Sequence, residues 1–338
     1  MRQIFTIFWD SYRLLTAKKL FWIALGISVL IALLYASIKI GEDGISVLFG
    51  AYSFGDGGPV VPSIYGKYLY LYVFAEFLVP FWLGLFAIVL ALISVCSVFP
   101  DFLEGGSIDV AVSKPISRLV LFFAKYVSGL LFVAIQVFVF CLIVFIGFGL
   151  RMESWNFDIF WAVPLIVFVF SLIYSVAVLT AVWTKSTLLS LLIAFLVWGL
   201  SWGVQFLESM VYHAAYSAPT QGVAIDYSTG ESETGVESLE EDEFLSKIHG
   251  MIKMVGRPLP KTRDTTYLLQ TKIKIDGKDL TRRENFLEDS GDAFIANENK
   301  ALESHANRHS DGYVIGTSLA FEAVMLSLAC FIFARRDY

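Results

Sequence analysis

The chain is poor in charge. Asp, Glu, Lys and Arg make up 17% of its 338 residues, against about 25% in soluble proteins. It has no basic surplus. Its formal net charge is −6, which excludes a surface built to bind nucleic-acid phosphates. Cysteine is nearly absent. Cys96, Cys141 and Cys330 all lie in apolar runs, which excludes a disulfide framework or a cysteine metal site in the polar part. They read as small buried hydrophobes. No G-x-x-x-x-G-K-[ST] loop occurs. Gly55-Asp56-Gly57-Gly58 is glycine-rich but no Lys-Ser/Thr follows it, so the chain has no nucleotide cradle of its own. There are four histidines. His305 and His309 stand four apart, a helical spacing that suits a metal ion. With no Cys beside them and no H-E-x-x-H, the better reading is a solvated polar face. No catalytic and no metal-binding residue is assigned.

Apolar residues fill the space that charge leaves. They make up 57% of the chain, and the charge that exists is gathered in one place. Residues 209–312 hold 30 of the 56 charges. The pattern excludes disorder and fibrous repeats. It describes an integral membrane protein with one polar segment near its end.

A helix needs roughly 20 apolar residues to cross about 30 Å of hydrocarbon. Six stretches qualify: Leu20–Ile38, Phe77–Pro100, Tyr126–Leu150, Ile159–Thr184, Ser186–Leu207 and Tyr313–Ala334. The first has no small-x-small cleavage site after it, so it reads as an anchor and not as a signal peptide. Lys and Arg near the ends of the stretches set the orientation. Placing the N-terminus inside puts Arg2, Arg13, Lys18, Lys19, Lys114, Arg118, Lys125, Lys185, Arg335 and Arg336 on the cytoplasmic side. Lys39, Lys67 and Arg151 fall outside. Both termini are therefore expected in the cytoplasm and segment 209–312 outside, although a segment that long crosses regardless of its own charge.

Outside the spans, residues 3–15 place Ile4, Phe8, Tyr12 and Leu15 on one helical face, with Asp10 and Arg13 opposite. This predicts an amphipathic helix in the inner interface. Residues 41–64, with six glycines and two prolines, predict a loop without regular elements. Within 209–312, Thr229–Glu243 is acidic and poor in apolar residues, a mobile composition. Thr271–Arg282 alternates Ile273 and Ile275 with lysines before Asp276-Gly277, which predicts a β-hairpin. Residues 284–306 fit a polar helix. The segment has too few aliphatic residues for a large core of its own and is expected to lean on the membrane part or on a partner.

Two features point to function. The first is the loop between the second and third stretches, residues 99–118. It reads Glu104-Gly105-Gly106-Ser107-Ile108-Asp109, then Ser113-Lys114-Pro115-Ile116-Ser117-Arg118, with Lys125-Tyr126-Val127-Ser128-Gly129 beyond. A polar loop held between two long helices suits docking of a cytoplasmic protein. The second is Glu322, near the middle of the last stretch, where a charge costs roughly 2.5–3.5 kcal/mol. It is either a polar group on a transport path or interface, or a structural hydrogen-bonding or neutral carboxyl. Gln136 and Gln205 are the other polar candidates within the stretches. A membrane-embedded enzyme would need polar residues clustered in the spans, and only Glu322 qualifies.

The loop motif and the ending Phe333-Ala334-Arg335-Arg336-Asp337-Tyr338 resemble the permease subunit of type-two ABC exporters. The resemblance covers the membrane part. It implies an all-α membrane protein with six spans, an N-terminal elbow helix and a polar insertion, here of α+β character. Residues 1–208 would form the first five spans, 209–312 the extracytoplasmic segment, and 313–338 the last span and tail. It implies a bacterial-type plasma (inner) membrane, a second permease half, and a separate cytoplasmic ATPase that holds ATP and magnesium. No cofactor would bind this chain. Asp101, Glu104, Gly106, Ser107, Ile108, Asp109, Lys114 and Arg118 would form or orient the ATPase contact, with Pro115 fixing the turn into the third span. Leu259-Pro260-Lys261-Thr262 resembles a patch found ahead of the last span in that family. The rest of 209–312 is unmatched, and motivates the alternative of a non-transporting scaffold that passes an ATPase stroke to an extracytoplasmic partner.

Overall fold

The computed structural model describes residues 13, 19–41, 44–54, 63–103, 117–216, 224–225, 232–233, 243–275, 278–279 and 310–335. The amphipathic N-terminal segment apart from Arg13, residues 55–62 of the glycine-rich region, the core of the loop 104–116, most of the acidic run, the polar stretch 284–306 and the last three residues lie outside these.

The chain is mostly helical. Helix α1 is Lys19–Ala36. A continuous helical rod follows: α2 (Ser63–Val73), a π-helical stretch Phe74–Ala87 and α3 (Ile88–Val95), continuing into α4 (Val98–Leu103). Pro80 lies inside the π stretch. Proline has no N–H to give and crowds the preceding turn, and the wider π turn accommodates both defects. Helix α5 is Arg118–Met152, α6 is Ala162–Thr184 and α7 is Thr187–Tyr216. Two shorter helices, α8 (Glu243–Gly256) and α9 (Thr262–Lys272), precede α10 (Asp311–Arg335).

Five helical units are long and apolar enough to cross a membrane: Gly66–Leu103, Arg118–Met152, Phe157–Thr184, Thr187–Val211 and Asp311–Arg335. The first apolar stretch forms a shorter helix, with its apolar part at Phe21–Ala36. Helix α6 is the centre of the bundle. Its apolar window is 78% buried, against 17% for α7 and α10, so those two present most of their apolar surface outward. Leu196, Leu200, Leu319, Val324 and Leu328 are all exposed. Apolar surface of this extent suits hydrocarbon and not water.

Helices α1 and α5 run in the same direction. The rings of Phe21 and Phe132 stand 4.5 Å apart near one end, and Ala36 meets Gly147 near the other. Two parallel helices require the rod 63–103 between them to return, and α5, α6 and α7 then alternate through short turns. One end of the bundle therefore gathers the start of α1, the end of α4, the start of α5, the α6–α7 turn and the end of α10. We call it the loop end. The opposite end gathers residues 39–41, 44–54, 153–158, 273–275 and 278–279 and the start of α10.

In the glycine-rich region 41–64, the described residues up to 54 are not the featureless loop that composition predicts. Strands β1 (Lys39–Gly41), β2 (Gly44–Val47) and β3 (Tyr52–Phe54) form an antiparallel sheet, with Lys39 opposite Ser46 and Ile45 opposite Phe54. Strands this short carry too few residues to show alternation. Tertiary contacts hold them instead. Arg151, at the end of α5, donates to Ser37 O and Ser46 Oγ, and its guanidinium lies 5.9 Å from the Phe49 ring centre. The chain turns through left-handed Leu48 and Phe49 and through Gly50 at φ +97°. Gly66 admits the Ile40 carbonyl so closely that a Cβ would stand 2.6 Å from it.

The polar segment is less separate than its composition suggests. Helix α7 runs on through Ser209 to Tyr216. Minimal pairs β4 (Ala224–Ile225) and β5 (Ser232–Glu233), and β6 (Lys274–Ile275) and β7 (Lys278–Asp279), add two small hairpins. The second pairs Lys274 with Asp279 and Ile275 with Lys278, a hairpin where the alternation of Ile273 and Ile275 predicts one, but Thr271 and Lys272 belong to α9. Asn156 donates to Lys274 O, and Lys274 N donates to Asp158. Lys272 pairs with Asp311 at 2.7 Å. Leu269 and Ile273 are fully buried. The segment leans on the membrane helices.

Candidate functional site

Three polar groupings stand out in an otherwise apolar bundle. The first is at the loop end. Ser117 caps α5 by accepting from Val120 N, which sets the helix start at Arg118. Arg118 donates to Ala334 O at 3.1 Å, a cation placed on the carbonyl end of α10, where the helix dipole favours it. Phe333 packs against Phe102 and Phe122, with ring centres 6.5 and 5.7 Å apart. The Lys125 ammonium lies 5.2 Å from the Phe102 ring centre. The ends of α4, α5 and α10 are thus tied into one aromatic platform, and the loop 104–116 leaves from it. Asp101 is exposed on α4. Of the predicted ATPase-contact residues, Asp101 and Arg118 stand on this platform. Glu104, Gly106, Ser107, Ile108, Asp109, Lys114 and Pro115 lie outside the described residues.

The second grouping surrounds Glu322. Tyr126 of α5 donates to Glu322 Oε1 at 2.7 Å, and Ser171 of α6 donates to Glu322 Oε2 at 3.0 Å. Tyr126 also reaches Ser171 O at 3.2 Å. The Tyr126 ring stacks on Tyr174 at 5.2 Å and 7°, and Tyr174 stacks on Phe170. Three helices contribute, so no local spacing reveals the trio. Glu322 forms no ion pair among the described residues.

The third grouping joins Gln205 to the Leu259-Pro260-Lys261-Thr262 patch, two features that the sequence shows separately. Helices α8 and α9 make a hairpin whose turn enters the bundle. Pro260 meets α7 at Ser201, fourteen residues from the first residue of α7 and fifteen from the last, so the tip stands halfway along that helix. Gln205 clamps it. Its amide nitrogen donates to Ser201 O, Ser201 Oγ and Pro260 O at 3.1, 2.8 and 2.9 Å. Its amide oxygen accepts from Arg263 N at 2.9 Å. Helix α9 begins after Lys261, which makes no side-chain cap bond. The first N–H groups of a helix need an acceptor, usually an N-cap Ser, Asp or Asn. Gln205 supplies it from another helix. Ser201 donates to Pro260 O, and Ser318 of α10 accepts from Lys261 N at 3.1 Å. Lys261 lies 5.3 Å from the Tyr313 ring centre and Arg263 5.7 Å from that of Phe206. Nearby, His249 of α8 stands 3.9 Å from Glu208 of α7.

The three polar candidates read from the spans therefore part company. Glu322 joins Tyr126 and Ser171, and Gln205 holds the hairpin. Gln136, 2% exposed, hydrogen-bonds through neither amide atom. Among the histidines, His249 is described in full. His305 and His309 lie outside the described residues, as does the side chain of His213. Among the described residues no three His, Cys, Asp or Glu side chains come together as a metal site. The Leu259-Pro260-Lys261-Thr262 patch was the one sequence signal for the hairpin tip; nothing in the spacing of Gln205 or Ser318 marks them as its partners.

The chain matches no family model, no curated protein and no solved structure.

Proposed function

We propose that the chain is the membrane-spanning subunit of an ATP-driven exporter of the type-two ABC class. The observation that carries this reading is the loop. Its sequence Glu104–Asp109 and Ser113–Arg118 resembles the coupling loop of that class, and it leaves a platform on which three helix ends are tied by Arg118 and Phe333. Five helices are long and apolar enough to cross a membrane, and with α1 taken as a sixth span they support the same architecture. A separate cytoplasmic ATPase, holding ATP and magnesium, would seat the loop in its cleft, with Glu104 and Asp109 making polar contacts. A second permease half, either a copy or a related chain, would complete the membrane unit in a bacterial-type inner membrane. Both termini would face the cytoplasm and 209–312 the other side. The apolar flanks suit an amphiphilic cargo. The chain itself performs no hydrolysis.

The test is purification of the tagged chain from native membranes in mild detergent, with its companions identified by mass spectrometry. A P-loop ATPase is expected with the wild type and is expected to be lost with Glu104→Lys. If no such ATPase accompanies the wild type, the reading fails.

A second reading rests on α10. Its end meets Arg118 through Ala334 and its first half meets the hairpin tip through Ser318. A single rigid helix thus joins the loop end to the inserted segment. That arrangement suits a scaffold that passes an ATPase stroke to an extracytoplasmic partner. It predicts ATP-dependent changes in hydrogen exchange in α8 and α9 without cargo flux.

A further inference from the structure

We propose that Glu322, Tyr126 and Ser171 form a proton-exchanging site at the junction of α5, α6 and α10. Two hydroxyl hydrogens face four acceptors there. Tyr126 reaches Glu322 Oε1 at 2.7 Å and Ser171 O at 3.2 Å. Ser171 reaches Glu322 Oε2 at 3.0 Å and Phe168 O at 2.8 Å. With the carboxylate ionised, both hydroxyls turn to Glu322 and each of its oxygens accepts one bond. With a proton on Oε1, that O–H donates to the Tyr126 oxygen. Tyr126 then turns its own hydrogen to Ser171 O, and Ser171 keeps Glu322 Oε2 or takes Phe168 O. The one bond formed is the O–H on Glu322; the proton comes from solvent water and returns to it. Every donor keeps an acceptor in either state, so heavy atoms need not move. A structural hydrogen bond asks for one state only. This network accommodates two.

The surroundings favour exchange over a fixed charge. Glu322 lies eleven residues from one end of α10 and thirteen from the other, is partly exposed, and has Leu319 and Val324 exposed beside it. An ionised carboxylate against apolar neighbours is unfavourable unless it is paired or hydrated. Among the described residues no cation on the elements packed around it pairs with Glu322. On α5, Arg118 bonds Ala334 O and Lys125 lies over Phe102. On α6 the titratable group is Tyr174, stacked on Tyr126. On α9, Lys261 lies over Tyr313, Arg263 lies by Phe206, and Lys272 pairs with Asp311, with Asp264 in the first turn. On α10 itself, Cys330 lies two turns on, and Arg335 lies over Phe331. The proton is therefore the cation that this site is built to take. A lipid-facing α10 favours the neutral acid, and a hydrated path along the same face favours the carboxylate.

Dicyclohexylcarbodiimide, which attacks protonated carboxyls in apolar surroundings, reads this state directly. The full-length protein is reconstituted in phosphatidylcholine vesicles, labelled at a series of pH values, and the adduct at residue 322 is quantified by mass spectrometry. The adduct is expected to fall at least about tenfold between about pH 5 and about pH 9. Tyr126→Phe and Ser171→Ala each remove a donor to the carboxylate, so they are expected to carry labelling to higher pH. The infrared carbonyl stretch of a protonated carboxyl, absent in Glu322→Gln, should appear and vanish over the same range. A protonation state that stays constant in both measurements overturns the proposal, as does a pH response that neither hydroxyl variant moves. No ATPase enters the experiment, so its outcome is independent of the exporter reading.

Discussion

Gly147→Ala is expected to unseat α1 from α5. A Cβ at position 147 would stand 2.7 Å from the Ala36 Cα and 3.2 Å from the Ala36 carbonyl oxygen, and closer still to the Ala36 Cβ. These are atoms on or next to the α1 backbone, so no rotamer change relieves the overlap. The helices must separate. Overpacking of a close-packed interior costs about 1–3 kcal/mol, at times more, and here it is concentrated where α1 ends and β1 begins. Phe21 and Phe132, whose rings meet at a tilt near the other end of the same interface, would lose their contact too if α1 pivots. The thermal midpoint of the purified protein in detergent should fall clearly, and a cysteine pair at positions 21 and 132 should cross-link less. Ala36→Gly on the same background should restore part of the loss. The matched control is Gly26→Ala, also in α1, where a Cβ meets nothing within 4 Å. It should be neutral, or stabilising by up to about 1 kcal/mol through helix propensity. If Gly147→Ala and Gly26→Ala behave alike, the α1–α5 contact described above does not hold.

That contrast also shows where the sequence is readable. Hydropathy alone marks the membrane-crossing helices, because hydrocarbon tolerates little else over 20 residues. The pairing of β6 with β7 is readable because Asp-Gly is the sequence that two-residue hairpin loops demand. What a glycine or an amide touches is a tertiary fact, and it carries no period. Gly26 and Gly147 look alike in the chain, yet one faces open space and the other the backbone of α1. The end of α7 is misjudged for a related reason. Glu208 and Ser209 look like the start of a water-exposed segment, but they are 2% and 7% exposed, since α8 packs over them. Strands β1 to β3 escape notice because three or four residues cannot display alternation, and Arg151 and Gly66 hold them from a distance. The Glu322 trio draws one residue each from three helices, so only the acid itself is visible in the sequence. The loop 104–116 is the opposite case: its residue pattern is legible while its placement lies outside the described residues.

Gln205→Leu is expected to release the tip of the α8–α9 hairpin from the bundle. Leucine fills the volume but neither donates nor accepts. The Arg263 N–H loses its acceptor at the first turn of α9, and Pro260 O keeps only Ser201. A buried polar group left unsatisfied costs about 1–3 kcal/mol, and in this apolar setting water is a poor substitute. Since about 1.4 kcal/mol is a factor of ten, exchange of the Arg263 and Thr265 amides should quicken by roughly ten- to a hundredfold. Gln205→Glu separates the two halves of the clamp. It keeps an oxygen for Arg263 N but replaces the donor that serves Pro260 O and Ser201 O with an acceptor, so carbonyls would face a carboxyl. Ser318→Val attacks the same tip from α10 by stranding Lys261 N, and it should quicken exchange at Thr262 and Arg263 without touching Gln205. If α10 is a rigid link between the loop end and the hairpin, Ser318→Val should also uncouple them: a label on α9 should stop responding to changes at Arg118, while the Gln205 contacts persist. Protection at Arg263 and Thr265 that is unchanged in Gln205→Leu would mean that the tip is held by side-chain packing and not by the amide of Gln205.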